Sequence, residues 1–204
     1  MAVGRATATA AAVVLGLTGS ACSSSGGASS TAPTSATSSP PSSSAVPTTA
    51  SPSQDAQSQA VALVPTYLGT IDDLYLEPTR ALDEIYEVAV APDAVAEATA
   101  IGKFRAQGYR QTGRVQLVSA SAGSIDLTNS PTASPSPVLP TVVVTACVDV
   151  SQVGAVDATG QSIVPADRPR YLVEQLTVVN PHYPDPSSWR VSTASNRQER
   201  SCGG

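Results

Sequence analysis

Cysteine and histidine are scarce in this chain, which limits the chemistry that it can perform. Its 204 residues include three cysteines, Cys22, Cys147 and Cys202, and one histidine, His182. A structural metal site needs about four ligands at close spacing. Cys147, Cys202 and one distant histidine do not provide them. Any Ser-His-Asp or Cys-His device would have to use His182, yet nothing near it suggests a partner carboxylate or a pocket. We therefore expect no metal, no cofactor and no nucleophilic hydrolase chemistry.

Patterns for nucleotide, calcium and nucleic-acid binding are also missing. Gly102-Lys103 lies in a predicted helix without the glycines of a phosphate loop. The acidic residues at 72, 73, 83, 84 and 87 follow helical spacing, which favours solvated faces over a calcium loop. The formal net charge is -5 and no basic cluster occurs, so the electrostatic attraction to nucleic acid is absent. Nucleic acid is not an expected partner.

The residues around Cys22 indicate an export signal and a lipidation site. Residues 1–21 have the pattern of a signal peptide, with Arg5, an apolar run over 6–17 and small residues before the cysteine. This segment resembles the bacterial lipobox, although Gly19 stands where leucine is usual. The resemblance implies that Cys22 carries lipid and anchors the chain to the outer face of the cytoplasmic membrane. The alternative is an ordinary signal-peptidase site and a secreted protein.

Composition divides the rest of the chain into a linker and one domain. Residues 22–54 are rich in Ser, Thr and Pro and carry no charge, so we expect a lipidated cysteine followed by a disordered stalk. All acidic residues and ten of the 11 basic residues follow, mixed with large apolar side chains. Residues 55–204 are therefore predicted to form a single globular domain, which is long enough to bury its own core.

The other two cysteines remain as an even pair once Cys22 is assigned to lipid. Disulfides persist in exported proteins, so we predict a bond between Cys147 and Cys202. It would close a loop of about 55 residues and fasten a polar C-terminal tail, residues 195–201, to a strand. The alternative is that Cys147 is a small buried hydrophobic residue and Cys202 is a free thiol.

Three helices are predicted before residue 108 from apolar residues that recur every three or four positions. The first contains Pro65 as an interior flaw. The second is short, with Thr79 as its N-cap and a stop near Pro92. The third continues to Gln107 and ends at Gly108, a suitable C-terminal cap. The inward positions predicted for the second and third helices are Leu82, Ile85, Tyr86, Val90, Val95, Ala98, Ile101 and Phe104.

Beyond Gly108 the apolar spacing changes to two, which predicts strands around residues 115–117, 142–146, 172–178 and 189–191. Turns are expected at Ala122-Gly123, at 157–160 and at 181–186, and residues 130–137 should form an exposed hairpin loop. Helices followed by strands predict an α+β fold, in which N-terminal helices pack against a curved antiparallel sheet.

This order of elements is accompanied by four short motifs. They are Ala146-Cys147-Val148-Asp149, Asp157-Ala158-Thr159-Gly160, Ser188-Trp189-Arg190-Val191 and a terminal cysteine. Together they resemble secreted actinobacterial lipoproteins, whose domain has a cone-shaped fold like nuclear transport factor 2. The resemblance spans residues 59–202. It implies a non-catalytic surface lipoprotein that binds either a partner protein or a small apolar ligand.

The cone-shaped fold also hosts isomerases and dehydratases, and this implies an alternative function. A cell-envelope enzyme of that type would use a cavity aspartate, for which Asp149 is the candidate, together with Tyr67 or Tyr86. It predicts a raised pKa for Asp149, because an apolar cavity disfavours the carboxylate. Tyrosines at helical spacing are more often core residues with the hydroxyl at the rim. A purely structural surface protein with a filled core is the third alternative.

Overall fold

The computed structural model describes residues 50–202, so the predicted signal peptide, Cys22 and nearly all of the predicted stalk lie outside the described residues. The helices are α1 (Pro52–Leu76), a 3-10 helix (Leu82–Glu87) and α2 (Asp93–Ala106). The strands are β1 (Arg110–Thr112), β2 (Gln116–Asp126), β3 (Thr141–Asp149), β4 (Gly154–Val156), β5 (Tyr171–Val179) and β6 (Arg190–Glu199). The predicted α+β class, with N-terminal helices packed against antiparallel strands, is confirmed.

Helix α1 begins three residues before Asp55, because Ser51 starts it with a capping box. The Ser51 hydroxyl accepts from the Gln54 backbone N–H at 3.3 Å, and the Gln54 side chain accepts from the Ser51 N–H at 2.9 Å. Pro65 lies inside the helix, on its exposed side, and the helix continues through it. The buried side of α1 is formed by Ala56, Ala60, Val64, Tyr67, Leu68, Asp72 and Leu74.

The predicted second helix differs from the structure in three respects. It is a 3-10 helix whose N-cap is Ala81, so the prediction of Thr79 as the cap is wrong. Tyr86 is 48% exposed instead of facing the core. Val90 lies beyond the helix, and its N–H donates to the Val191 carbonyl at 2.8 Å. The chain leaves the helix early because this backbone bond takes it to the edge of β6.

Helix α2 agrees with the prediction at its ends and differs on its faces. Gly108 follows the helix with a φ of +72°, the left-handed conformation that glycine adopts without strain. Ile101 is fully buried, as predicted, whereas Val95 is 50% exposed. Val95 comes one residue after the buried Ala94, and one residue rotates the side chain about 100° around the helix, so it points away from the core.

The main sheet has the strand order β2-β3-β5-β6 and is antiparallel throughout, while β1 and β4 form a separate pair. Its inner face, toward the helices, carries apolar residues at alternate positions. The inner residues of β3 and the C-terminal half of β5 are Val142, Val144, Ala146, Val148, Leu176 and Val178.

Two expectations about the strands are wrong. Ala122-Gly123 is not a turn but lies inside β2, where an irregular register between Ala122 and Ile125 accommodates the glycine. Residues 195–199 are not a loose tail, because their backbone pairs with β5 along the sheet. The expected loops are present at 130–137, between β2 and β3, at 157–160 and at 181–186.

The disulfide between Cys147 and Cys202 is present, and its prediction is confirmed. The two Cα atoms are 5.6 Å apart and 55 residues separate the cysteines along the chain. Cys147 is on the outer face of β3, so the bond joins the residues that follow β6 to the middle of the sheet.

Candidate functional site

A cavity of about 410 Å³ lies between the helices and the inner side of β5 and β6. Exposed residues of β6, including Ala194 and Asn196, form its rim. Its apolar walls come from α1, from the residue before β2, from the loop after β3 and from the start of β5. These apolar residues are Leu68, Ile71, Val115, Val150, Val153 and Leu172.

A buried hydrogen bond joins the two helices beside this cavity. The Tyr67 hydroxyl, on α1, donates to Asp93 Oδ2 at 2.8 Å, and both residues are almost completely buried. Burial raises the pKa of Asp93, although the bond from Tyr67 and the backbone N–H of Ala194 oppose that effect. Burial and the Asp93 charge raise the pKa of Tyr67, so the phenol remains a hydrogen-bond donor.

Two further carboxyl groups line the cavity opposite each other. Glu97 lies one helical turn after Asp93 on α2, and Glu174 lies on the inner face of β5, between Leu172 and Leu176. Burial, followed by the charges of Glu97 and Asp93, raises the pKa of Glu174 to about 7. Burial and the Asp93 charge also raise the pKa of Glu97. Both raised pKa values mean that a second negative charge in the cavity is disfavoured.

Two other polar groups of the cavity, Arg168 and Asp72, already have partners. Arg168 donates to the carbonyls of Val150 at 2.6 Å and Val153 at 2.7 Å. Asp72 accepts from the Gln111 side chain at 2.7 Å and from the Val115 N–H at 2.8 Å. Burial still raises the pKa of Asp72, with these bonds acting against it. The Arg168 guanidinium is therefore committed to the loop that it holds.

This arrangement suits a small organic ligand. Mostly apolar walls with a few polar groups are typical of small-molecule sites, and the volume is within their usual range of about 300–1,000 Å³. Within residues 50–202, no three or more His, Cys, Asp or Glu side chains are placed so that they could hold a metal ion. Glu174 could donate one hydrogen bond to a ligand atom when it is protonated, and it could accept one when it is ionised.

Asp149, the predicted cavity aspartate, lies outside the cavity. It ends β3 on the face shared with Cys147, and the structure makes that face the outer one. Its Oδ2 atom accepts from Arg170 Nε at 2.9 Å and Nη2 at 2.6 Å, and the Ser151 N–H donates to Oδ1. These bonds lower the pKa of Asp149, with Arg170 the largest cause, so the expected raised pKa is wrong. Asp149 instead holds the end of β3 through its bonds with Arg170 and Ser151.

The remaining predicted residues have separate positions. Tyr67 lines the cavity, as the alternative function required, but Tyr86 is on the surface. The Cys147–Cys202 disulfide borders a smaller depression of about 270 Å³ on the outer face of the sheet, among serine and threonine side chains. His182 is exposed in its loop, where its backbone N–H donates to the Asn180 side-chain oxygen.

Asp93, Glu97 and Glu174 were missed by the sequence analysis, although one signal pointed to Glu174. It occupies an inward position between Leu172 and Leu176 in a predicted strand, and a charge among inward apolar residues is unusual. Asp93 follows Pro92 at a helix start, where an acidic residue is ordinarily explained by the helix dipole. Glu97 is exceptional only because it lines the same cavity as Glu174 of β5, which one sequence does not reveal.

Comparisons with known proteins give little beyond these observations. No protein-family model matches the chain, and no curated protein matches it. Among solved structures, one similar chain is described as "Crystal structure of intermembrane space region of chloroplast protein ARC6". It has a TM-score of 0.47 and 14% sequence identity, and the alignment covers 70% of this chain and 97% of that chain. Within residues 50–202, no helix is long and apolar enough to cross a membrane.

Proposed function

We propose that this chain is an exported, lipid-anchored surface protein whose domain binds a small, mostly apolar ligand in the cavity between α1, α2 and β5. The observation that carries the proposal is the cavity itself, with a volume of about 410 Å³ and walls that include Leu68, Ile71 and Leu172. Binding sites for small molecules combine such walls with a few fixed polar groups. Glu97 and Glu174 supply those groups here.

The cavity favours a small ligand over the other two roles. A purely structural protein would gain stability from filling this space, because each missing apolar contact costs free energy. A broad exposed apolar patch marks a surface for a partner protein, whereas the apolar residues here line a recess whose rim residues, Ala194, Asn196 and Gln198, are small or polar.

A ligand-retention experiment tests this proposal. The purified protein is exposed to a bacterial lipid extract, washed and examined by native mass spectrometry for retained mass. Ala194→Trp, which places an indole at the cavity rim, should abolish retention. Thr193→Trp is the matched control, because Thr193 is the exposed neighbour that pairs with Thr177 on the outer face. Equal retention by the two variants, or no retention by the parent protein, would contradict the proposal.

The disulfide supports the proposed location. Disulfides persist outside the cytoplasm, and the Cys147–Cys202 bond leaves Cys22 as the only cysteine available for lipid. Mass spectrometry of the N-terminal peptide from the membrane fraction tests the anchor. We expect Cys22 as the first residue, with acyl chains attached. An unmodified Cys22, or a mature protein that begins after it, would exclude lipidation.

Glu174 favours a second candidate function, proton transfer next to a carbonyl group. A carboxylate with a pKa of about 7 in an apolar cavity suits a general base, and Glu174 would take the role expected of Asp149. The test is deuterium exchange at the α-carbon of a panel of apolar ketones in heavy water. Exchange that the protein accelerates and Glu174→Gln abolishes would support it, while exchange at the uncatalysed rate would leave only binding.

A further inference from the structure

We propose that pH controls ligand binding in this cavity through the carboxyl cluster of Asp93, Glu97 and Glu174, so that an apolar ligand is held in acid and released as the pH rises. This inference rests on the proposed function and adds its regulation. The geometry behind it is the meeting of α2 and β5 at the cavity, where two carboxyl groups line the space and the third is buried beside it.

Each element around the cluster contributes little positive charge. Helix α2 presents Asp93 and Glu97, and β5 presents Glu174. The rim strand β6 contributes uncharged residues to the cavity, namely Ala194, Ser195, Asn196 and Gln198. Helix α1 contributes Tyr67, Asp72 and Tyr75, which are neutral or acidic, and the burial of Tyr75 near Glu97 raises its pKa to about 12.

The nearby cation does not neutralise the cluster. Arg168 lines the cavity but donates to two backbone carbonyls, Val150 and Val153. In the part of the chain that the structure describes, Asp93, Glu97 and Glu174 take part in no salt bridge. Ionisation of Glu174 therefore adds a negative charge that faces other acids across an apolar space.

Burial and the charges of Glu97 and Asp93 hold the pKa of Glu174 near 7, so its charge changes within an ordinary environmental range. A bound apolar ligand displaces water from the carboxyl group and raises this pKa further. By linkage, the ligand then binds the protonated form more tightly. If the ligand raises the pKa by one unit, its dissociation constant increases about tenfold when Glu174 ionises.

The test uses N-phenyl-1-naphthylamine, a small fluorescent probe that is uncharged throughout the pH range of interest. Its dissociation constant for the mature protein is measured at intervals between about pH 5 and pH 9, with circular dichroism at each pH to verify folding. We expect tight binding at the acid end, a rise of about tenfold in the dissociation constant around pH 7 or slightly above, and a plateau beyond it.

Three variants make the result specific. Glu174→Gln keeps the shape of the side chain without its charge, so it should bind the probe tightly at every pH. Glu97→Gln removes one neighbouring charge and should move the transition to lower pH, which provides a second measurement if Glu174→Gln folds poorly. Glu199→Gln, in the same sheet but paired with the exposed Arg197, is the control and should behave like the parent protein.

The outcomes separate this inference from the function on which it rests. Probe binding that is independent of pH, or a transition that persists unchanged in both Glu174→Gln and Glu97→Gln, overturns the control by pH and leaves ligand binding intact. Failure of the probe to bind at any pH, together with no mass retained from the lipid extract, overturns the binding function itself.

Discussion

The Tyr67 hydroxyl donates a 2.8 Å hydrogen bond to Asp93, and this bond links the middle of α1 to the first residue of α2. The two helices are 17 residues apart at their nearest ends, because α1 finishes at Leu76 and α2 starts at Asp93. The bond satisfies a carboxyl group that is 6% exposed, and a buried carboxylate without a donor is costly. It therefore fixes the helical wall of the cavity.

Removal of this donor should destabilise the domain in a pH-dependent manner. Tyr67→Phe leaves Asp93 with one donor fewer, at an expected cost of about 1–3 kcal/mol in the free energy of unfolding. Burial raises the pKa of Asp93 and the Tyr67 bond favours its ionised form, so the loss should be larger at pH 8 than in more acidic solution.

Urea unfolding of the variant at pH 5 and pH 8 measures both effects. Tyr86→Phe is the matched control, since the Tyr86 ring is 48% exposed, and it should leave the unfolding midpoint unchanged. An equal loss at the two pH values would show that the effect of the hydroxyl does not depend on the ionisation of Asp93.

The stability of the parent protein should fall as the pH rises from about 4.5 to 7. Glu174 titrates near 4.5 when unfolded and near 7 when folded, so the folded state binds more protons in this interval. The stabilisation is complete below the unfolded pKa and is lost as the pH passes the folded pKa. A rise in the pKa from 4.5 to about 7 corresponds to a change of about 3 kcal/mol.

Asp72, Asp93 and Glu97 act in the same direction, because burial raises each of their pKa values. Asp149 acts in the opposite direction, but its lowered pKa confines its effect to more acidic solution. Urea midpoints between pH 4 and pH 8 test the prediction. Glu174→Gln should flatten the profile, and a profile that stays as steep in this variant would refute the assignment to Glu174.

A second link between the helices is the Arg105 guanidinium, which caps the end of α1 from α2. It donates to the carbonyls of Leu74 at 2.6 Å, Arg80 at 2.8 Å and Glu77 at 3.2 Å. The last carbonyls of a helix have no partner within the helix, so a cation there supplies both hydrogen bonds and charge.

Arg105→Met should therefore lower the free energy of unfolding by about 2 kcal/mol. Arg105→Lys should recover little of it, because an ammonium group cannot reach the three carbonyls with the planar fork of arginine. Lys103→Met, on the same helix and exposed, should be neutral. Thermal unfolding of the three variants provides the comparison, and a full recovery by lysine would show that charge alone is sufficient.

The parts of the fold that follow from periodicity were predictable from the sequence. The apolar spacing of α1 and the alternation in β3 determine which faces are buried, and Gly108 follows from the backbone conformation that ends α2. The capping box at Ser51 was obscured by its position in a serine-rich tract. The extension of β6 to Glu199 depends on backbone pairing with β5 and needs no apolar side chain, so no hydrophobic pattern reveals it.

The site was less predictable than the fold. Parity placed Asp149 on the same face as Cys147, but only the packed sheet identifies that face as the outer one. The cavity acids come from elements about 80 residues apart in sequence, with Glu97 on α2 and Glu174 on β5. Their shared environment arises from tertiary packing, which a single sequence does not encode in any local pattern.

Loss of the Cys147–Cys202 disulfide should destabilise the domain and loosen the end of β6. The bond closes a loop of 55 residues, and a crosslink of that span contributes about 2–4 kcal/mol by restricting the unfolded chain. Cys202→Ser should therefore lower the midpoint of unfolding. Hydrogen exchange should be fastest at Glu199, the last residue of β6, and slower toward Val191, whose side chain is fully buried.

The parent protein, denatured without reductant, should show no free thiol at either cysteine. Reduction should reproduce the stability of Cys202→Ser, and reductant should have no effect on that variant. If exchange in Cys202→Ser rises uniformly across the sheet instead of at the end of β6, the disulfide stabilises the domain only by restricting the unfolded chain. It would then not hold the strand end in place.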